Sequence, residues 1–155
     1  MSYQSELSQL IVTTDDVASA LFAKINTDAT LQGSTYLNGT GRIFKWESPI
    51  NAVLPRIVIS VKPLFVSEYT RESIFNGYIN IRIRNINDSR LPDSQRFQAI
   101  AKRCINLIDG HNTLTLSGFQ FFDSIYKFIS NIILSDVSTE ESFQEITFLI
   151  NVRSL

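Results

Sequence analysis

From Tyr78 to Arg84 polar and apolar residues alternate with period two: Tyr78, Asn80, Arg82 and Arg84 fall on one face, Ile79, Ile81 and Ile83 on the other. Side chains on a strand point alternately to opposite sides, so the pattern predicts a half-buried strand, here from Asn76 to Ile86. The period then changes. After a polar link from Asn85 to Leu91, Phe97, Ile100, Ala101, Cys104, Leu107 and Ile108 recur at helical spacing. Pro92 fits the first helical position, Asp93 suits the positive helix end, and Gly110 suits the left-handed position past the last turn. A strand leading into an amphipathic helix predicts a sheet whose apolar face is covered by helices.

The rest of the chain extends this picture. Leu7, Leu10, Ile11, Val17, Ala18, Leu21, Phe22 and Ile25 form an apolar helical stripe, interrupted at Thr13-Thr14-Asp15-Asp16. Thr13 and Asp16 stand at capping-box spacing, with Asp in place of Glu. The main helix is therefore expected from Thr14, with residues 1–13 as an extra N-terminal helix or arm. Leu31 to Gly41 reads as loop, and Arg42 to Glu47 as a short strand. Arg56 to Val61 is apolar at nearly every position, as in a central strand covered on both faces. Lys62-Pro63 ends or edges it, and Phe65 to Phe75 extends it into a hairpin with its tip near Glu68 to Glu72. Leu114 to Phe122 and Ile125 to Leu134 read as two further strand regions, the second continuing the first or pairing with it. Ser135 to Ser142 reads as an acidic turn, and Gln144 to Arg153 as the closing strand, with Ile146, Phe148, Ile150 and Val152 on one face. Strand runs joined by short turns and set apart from the helices imply an α+β fold with a mainly antiparallel sheet.

Composition narrows the function classes. A chain of 155 residues is most economically a single domain, 1–155. At this size folding buries about 70% of the unfolded chain's surface, enough for a core without staples. Charged residues make up 19%, and the net charge is −1. That balance gives no global electrostatic case for nucleic acid or an anionic membrane. No apolar run reaches the roughly 18 residues of a membrane span, and no signal-peptide pattern opens the chain, so no membrane partner is expected. The single Cys104 excludes an internal disulfide framework.

The chemistry-bearing residues are few. His111 is the only histidine and reads as a solvated loop residue; Cys104 lies on the apolar helical stripe and reads as a small buried hydrophobe. One His and one Cys exclude the usual structural zinc sets, and Gly39-Thr40-Gly41 lacks the rest of a nucleotide-binding fingerprint. Asp15-Asp16 and Glu140-Glu141 read as a cap and a solvated turn, since adjacent positions do not converge. No catalytic residue, cofactor or metal is expected. Arg82 and Arg84 share a strand face with Tyr78, which faintly suits a nucleic-acid-binding sheet; a salt-bridge role, cross-strand or between subunits, is favoured.

The order of elements carries a resemblance. An N-terminal helix leads to the strand at Arg42 to Phe44. A proline-bounded loop leads to Leu54-Pro55-Arg56-Ile57-Val58-Ile59, followed by the alternating strand Tyr78 to Arg84. The helix Phe97-Gln98-Ala99-Ile100-Ala101 runs on to Leu107-Ile108, and the chain closes on Gln144 to Arg153. Over nearly its whole length this resembles the tail terminator, or tail completion, proteins of long-tailed bacteriophages. The resemblance rests on order and spacing, so it transfers no individual residue. It implies two main helices packed on one face of the sheet and a ring-forming subunit, assembled as a homo-hexamer in the virion. Its implied partners are the tail tube protein, whose polymerisation the ring ends, and the head-tail connector or neck protein, with DNA only passing through the lumen.

A closed ring needs heterologous contacts between two different patches. The sequence offers the polar strand face of Tyr78, Arg82 and Arg84, and the hairpin tip around Tyr69, Arg71 and Glu72. Trp46 is a further interface anchor, although a core position suits it better. A neck or head-completion subunit, and a small nucleic-acid-binding module, stand as alternatives.

Overall fold

The structure, a computed structural model, describes residues 11–49, 52–66, 72–85, 92–134 and 141–154. Its elements in order are α1 (Thr14–Asn26), β1 (Ile43–Lys45), β2 (Arg56–Val66), β3 (Glu72–Arg84), α2 (Ser94–Ile108), β4 (Gly110–His111), β5 (Phe119–Ile129), β6 (Ile133–Leu134) and β7 (Glu141–Ser154). The strands form one sheet in the order β1-β2-β3-β7-β5-β4, with β6 pairing β7. Among the described residues only β1 and β2 pair in parallel. The α+β class and the mainly antiparallel sheet follow the sequence reading.

The main helix begins at Thr14, as its capping box predicts. Thr13 Oγ1 accepts from the Asp16 N–H at 3.1 Å, and the Asp16 carboxylate accepts from the Thr13 N–H at 2.8 Å. Of the proposed N-terminal helix or arm, residues 1–10 lie outside the described residues. Val17, Ala18, Leu21 and Ile25 face the sheet and are buried. A Cβ on Gly77 would stand 2.8 Å from Ile150 Cδ1 and 3.1 Å from Leu21 Cδ1, so the missing side chain lets α1 lie close on β3.

Both helices pack on the same face of the sheet. The odd positions of β3 from Phe75 to Ile83 are buried beneath them, together with Ile57, Ile59 and Val61 of β2 and Ile146, Phe148, Ile150 and Val152 of β7. The second helix starts at Ser94 with Asp93 as its cap, accepting from the Arg96 N–H at 3.0 Å. Pro92 therefore stands before the cap and not inside the first turn: the Asp side chain outcompetes it for the boundary. Gly110 takes φ +129°, positive as expected past a helix end, and opens β4 at once. Arg103 donates to both carboxylate oxygens of Asp28, at 2.7 and 2.9 Å, tying the end of α1 to α2. That hydrogen bonding holds the Asp28 carboxyl below its ordinary range. Arg96 Nε donates to the Tyr36 carbonyl at 2.7 Å and fastens the 31–41 loop to the same helix.

Two expectations are corrected and two open readings are settled. β2 is covered on one face only, with Val58 half-exposed opposite the helices, so its apolar run does not mark a two-sided strand. It also continues through Pro63 to Val66, with an irregularity between Pro63 and Phe65. The Ile57 N–H and Ile59 C=O bond toward β1. Pro63, two and three pairs along, likewise turns its missing N–H to the outer edge and costs no bond to β3. The regions 114–122 and 125–134 are in the main one strand, β5, whose bulges near Phe122 and Lys127 break the period. Finally, Glu141 and Ser142 belong to β7 and are buried, not part of a solvated turn.

Candidate functional site

Among the described residues no helix packs on the second face of the sheet, which is built from the even positions of β2 and β3 and the odd positions of β7. Registered rows cross it: Arg56–Arg82–Phe143, Val58–Asn80–Glu145, Ser60–Tyr78–Thr147 and Lys62–Asn76–Leu149. Local alternation alone fixes this arrangement. Each buried Ile or Phe on the core side forces its polar neighbours outward.

The strongest interactions lie at one end of the face. Arg56 Nη2 stands 3.2 Å from Glu141 Oε1, and Arg82 Nη1 stands 3.6 Å from Glu141 Oε2. The Arg56 and Glu141 side chains are only 6% and 12% exposed, so this is a buried ion pair. Arg56 Nη1 also donates to the Ala52 carbonyl at 3.0 Å, while its Nε is buried without a hydrogen-bond partner. Arg82 Nε donates to Asn80 Oδ1 at 3.0 Å, and its guanidinium lies 5.5 Å from the Phe143 ring centre. Further along, Lys62 lies over Tyr78 at 5.9 Å, and Arg153 over Phe122 at 4.9 Å. Cations, carboxylates and aromatic rings interleave, which suits docking against a polar protein surface.

Trp46 stands beside the ion pair. It is 42% exposed and takes φ +71°, with its indole N–H donating to Asp15 Oδ1 at 3.2 Å. It is not a core residue: the left-handed backbone turns it out of β1. Trp46, Arg56, Arg82 and Glu141 line one cleft of about 340 Å³. The structure thus brings Trp46 and Arg82 together. Tyr78 lies midway along β3, Glu72 begins it opposite Arg153, and Arg84 ends it opposite Glu141. Ten residues separate Glu72 from Arg82, roughly 33 Å of strand, so these positions do not form one patch. Tyr69 and Arg71 lie outside the described residues.

Cys104 is fully buried on α2, and burial pushes its thiol up to about 12. His111 is exposed on β4, with Nδ1 against Asp123 Oδ1. Among the described residues no group of three His, Cys, Asp or Glu side chains could hold a metal ion, and no helix is long and apolar enough to cross a membrane. Sequence reasoning missed Glu141 as the partner of Arg56 and Arg82. The signal was present, since the alternation of Phe143, Glu145 and Thr147 runs back in phase to Glu141.

No protein-family model matches the chain, and no curated protein matches it. Among solved structures, a chain of the "Virion of native gene transfer agent (GTA) particle" is similar, with a TM-score of 0.66 and 13% identity. The similarity covers 90% of this chain and 96% of that one. At that identity it shows a shared fold across nearly the whole length of both chains.

Proposed function

We propose that the chain is a structural protein of a phage-like virion. Its subunits close into a ring, hexameric by resemblance to tail terminators, which caps the tail tube and joins the tail to the head connector. The observation that carries this reading is the shared fold with a gene transfer agent virion chain, matched over 96% of that chain. The order of elements supports the terminator role within the virion, and the open polar face gives the ring a surface for other proteins. The work done is binding and termination, with no reaction and no cofactor. A neck subunit would share the ring, since the neighbour's description names the virion and no position within it.

The test is assembly. Purified protein should form rings by light scattering and electron microscopy, and adding them to polymerising tail tube protein should shorten the tubes. A particle that stays monomeric at high concentration and leaves tube length unchanged sinks the proposal. Rings that bind the connector protein but ignore the tube favour the neck reading.

A further inference from the structure

The two edges of the sheet are notched at opposite ends. At one edge β1 covers only Ile57 to Ile59 of β2, and the Trp46 N–H reaches the Ile59 carbonyl. Among the described residues no strand borders β2 from Val61 onward. At the other edge β4 covers only Asp123 and Ser124 of β5. The Tyr126 N–H is taken by Asp109 Oδ1 at 2.9 Å, and no described strand borders β5 beyond it. Exposed large apolar residues gather at these notches: Leu64 and Phe65 on β2, Phe128 on β5. Exposed apolar edges are templates for pairing with another chain.

The notches match. Phe65 registers with Ile74, Ile74 with Asn151, Asn151 with Asp123 and Asp123 with His111. The free part of β2 therefore lies at the level of β4. By the same tracing Lys45 pairs with Ile59, Ile59 with Ile79, Ile79 with Ile146 and Ile146 with Ile129, so the last residue of β1 is level with the last residue of β5, and Phe44 and Ile43 lie beyond its end. Directions agree as well. A rotation about an axis along the strands would set β1 of one copy antiparallel to β5 of the next, and the next copy's β4 parallel to this copy's β2.

We infer that copies of this chain join edge to edge in a half-lapped joint: β4 of one copy fills the notch beside β2 of its neighbour, and the end of the neighbour's β1 meets the end of β5. The occupant of each notch is thus a second copy, and the contact is heterologous, the kind that closes into rings. The inference deepens the ring reading above and rests on it for closure. It moves the ring contact from the open face to the sheet edges, leaving the open face to other proteins.

Phe65 and His111 occupy the same level on the same face, and strands joined side by side stand about 4.8 Å apart, within disulfide reach. The experiment uses the full chain carrying Phe65→Cys or His111→Cys; Cys104 is buried and can stay. Under mild oxidation an equal mixture of the two variants should give a disulfide dimer that neither gives alone, and the double variant should give a ladder of oligomers. Rings without these cross-links overturn the joint but leave the ring standing. A dimer from Phe65→Cys alone, the mark of a two-fold contact, overturns the joint. A ladder of open chains without rings upholds the joint and removes closure. Monomers without cross-links overturn both. A Phe65→Lys variant gives a second reading, since its side chain is exposed: assembly should be lost with the circular dichroism spectrum unchanged. Assembly equal to that of the unaltered chain overturns the joint.

Discussion

Replacing Glu141 by leucine should destabilise the protein far more than a surface salt bridge could explain. The Arg56 side chain is 6% exposed and meets Glu141 at 3.2 Å. With an effective dielectric constant near 20, the attraction at that distance is about 5 kcal/mol before desolvation is charged against it. Burying the two ions costs several kcal/mol each, so the intact pair is worth little more than a well-packed apolar pair. The asymmetry appears when one partner goes. Glu141→Leu leaves Arg56 buried with the Ala52 carbonyl and an unpartnered Nε, and such a change costs about 3–5 kcal/mol. For a chain of this length that is a fall in Tm of roughly 6–20 °C. Arg82 contributes less, because its side chain is 34% exposed and can turn to water.

The assay is a double-mutant cycle by urea unfolding with Arg56→Met, Glu141→Leu and both together. Each single change should be costly, and the double variant should return to within about 1 kcal/mol of the starting protein, because no buried charge then remains. A Glu141→Leu variant that loses less than about 1 kcal/mol, the range of exposed pairs, would refute the reasoning. So would a double variant whose loss equals the two single losses combined.

Two further predictions concern titration and reactivity. Asp28 is held below its ordinary range by Arg103, so its contribution is full above the unfolded carboxyl's pKa near 4 and is lost as pH falls through the lowered folded value. The stability gap between the protein and Arg103→Met should therefore hold at neutral pH and narrow in acid below about pH 4; a gap that stays constant into strong acid counts against the pairing. Cys104, pushed up to about 12 by burial, should be alkylated in mild base only as fast as the protein unfolds, and rapid labelling of the native protein would place the thiol outside the core.

The core was legible because burial and local period agree there. Ile79, Ile81 and Ile83 alternate, and the core contacts they predict are the ones that form. The capping box at Thr13 and Asp16 set the start of α1 correctly because a cap is decided within four residues. What failed depends on distant partners. Glu141 read as turn because its reason for burial, Arg56, lies on a strand two positions away in the sheet. The sequence left open whether 125–134 continues 114–122 or pairs with it, because the bulges of β5 shift the period and only its pairing with β7 joins the pieces. Trp46 read as core because its residue type argues for burial, while its φ of +71° turns it outward. Of the proposed contact residues, Tyr78, Arg82 and Arg84 were chosen as the outward row of β3, which the alternation does disclose, whereas Tyr69, Arg71 and Glu72 were chosen as a hairpin tip and Glu72 instead begins β3. The notched edges were not legible, since they arise from β1 and β4 being short and set at opposite ends of the sheet.

A long, bare, apolar strand edge endangers a soluble chain, yet a subunit meant to pair must keep one. In the proposed joint, Lys62 and Pro63 meet both demands at the β2 notch. The missing Pro63 N–H faces outward, so at that level the edge offers a carbonyl and no donor. An arbitrary strand laid along β2 would leave its own carbonyl unmatched there and would have to accommodate the Lys62 charge. A short strand such as β4, two residues long and followed at once by a bend, needs fewer ladder bonds and can donate to that carbonyl without completing the pattern. The irregularity between Pro63 and Phe65 breaks the register for longer partners as well. The same residues that guard the edge against indiscriminate pairing thus favour a partner of β4's length. Substituting Pro63 by valine would restore the donor and trade that selectivity for a stickier edge.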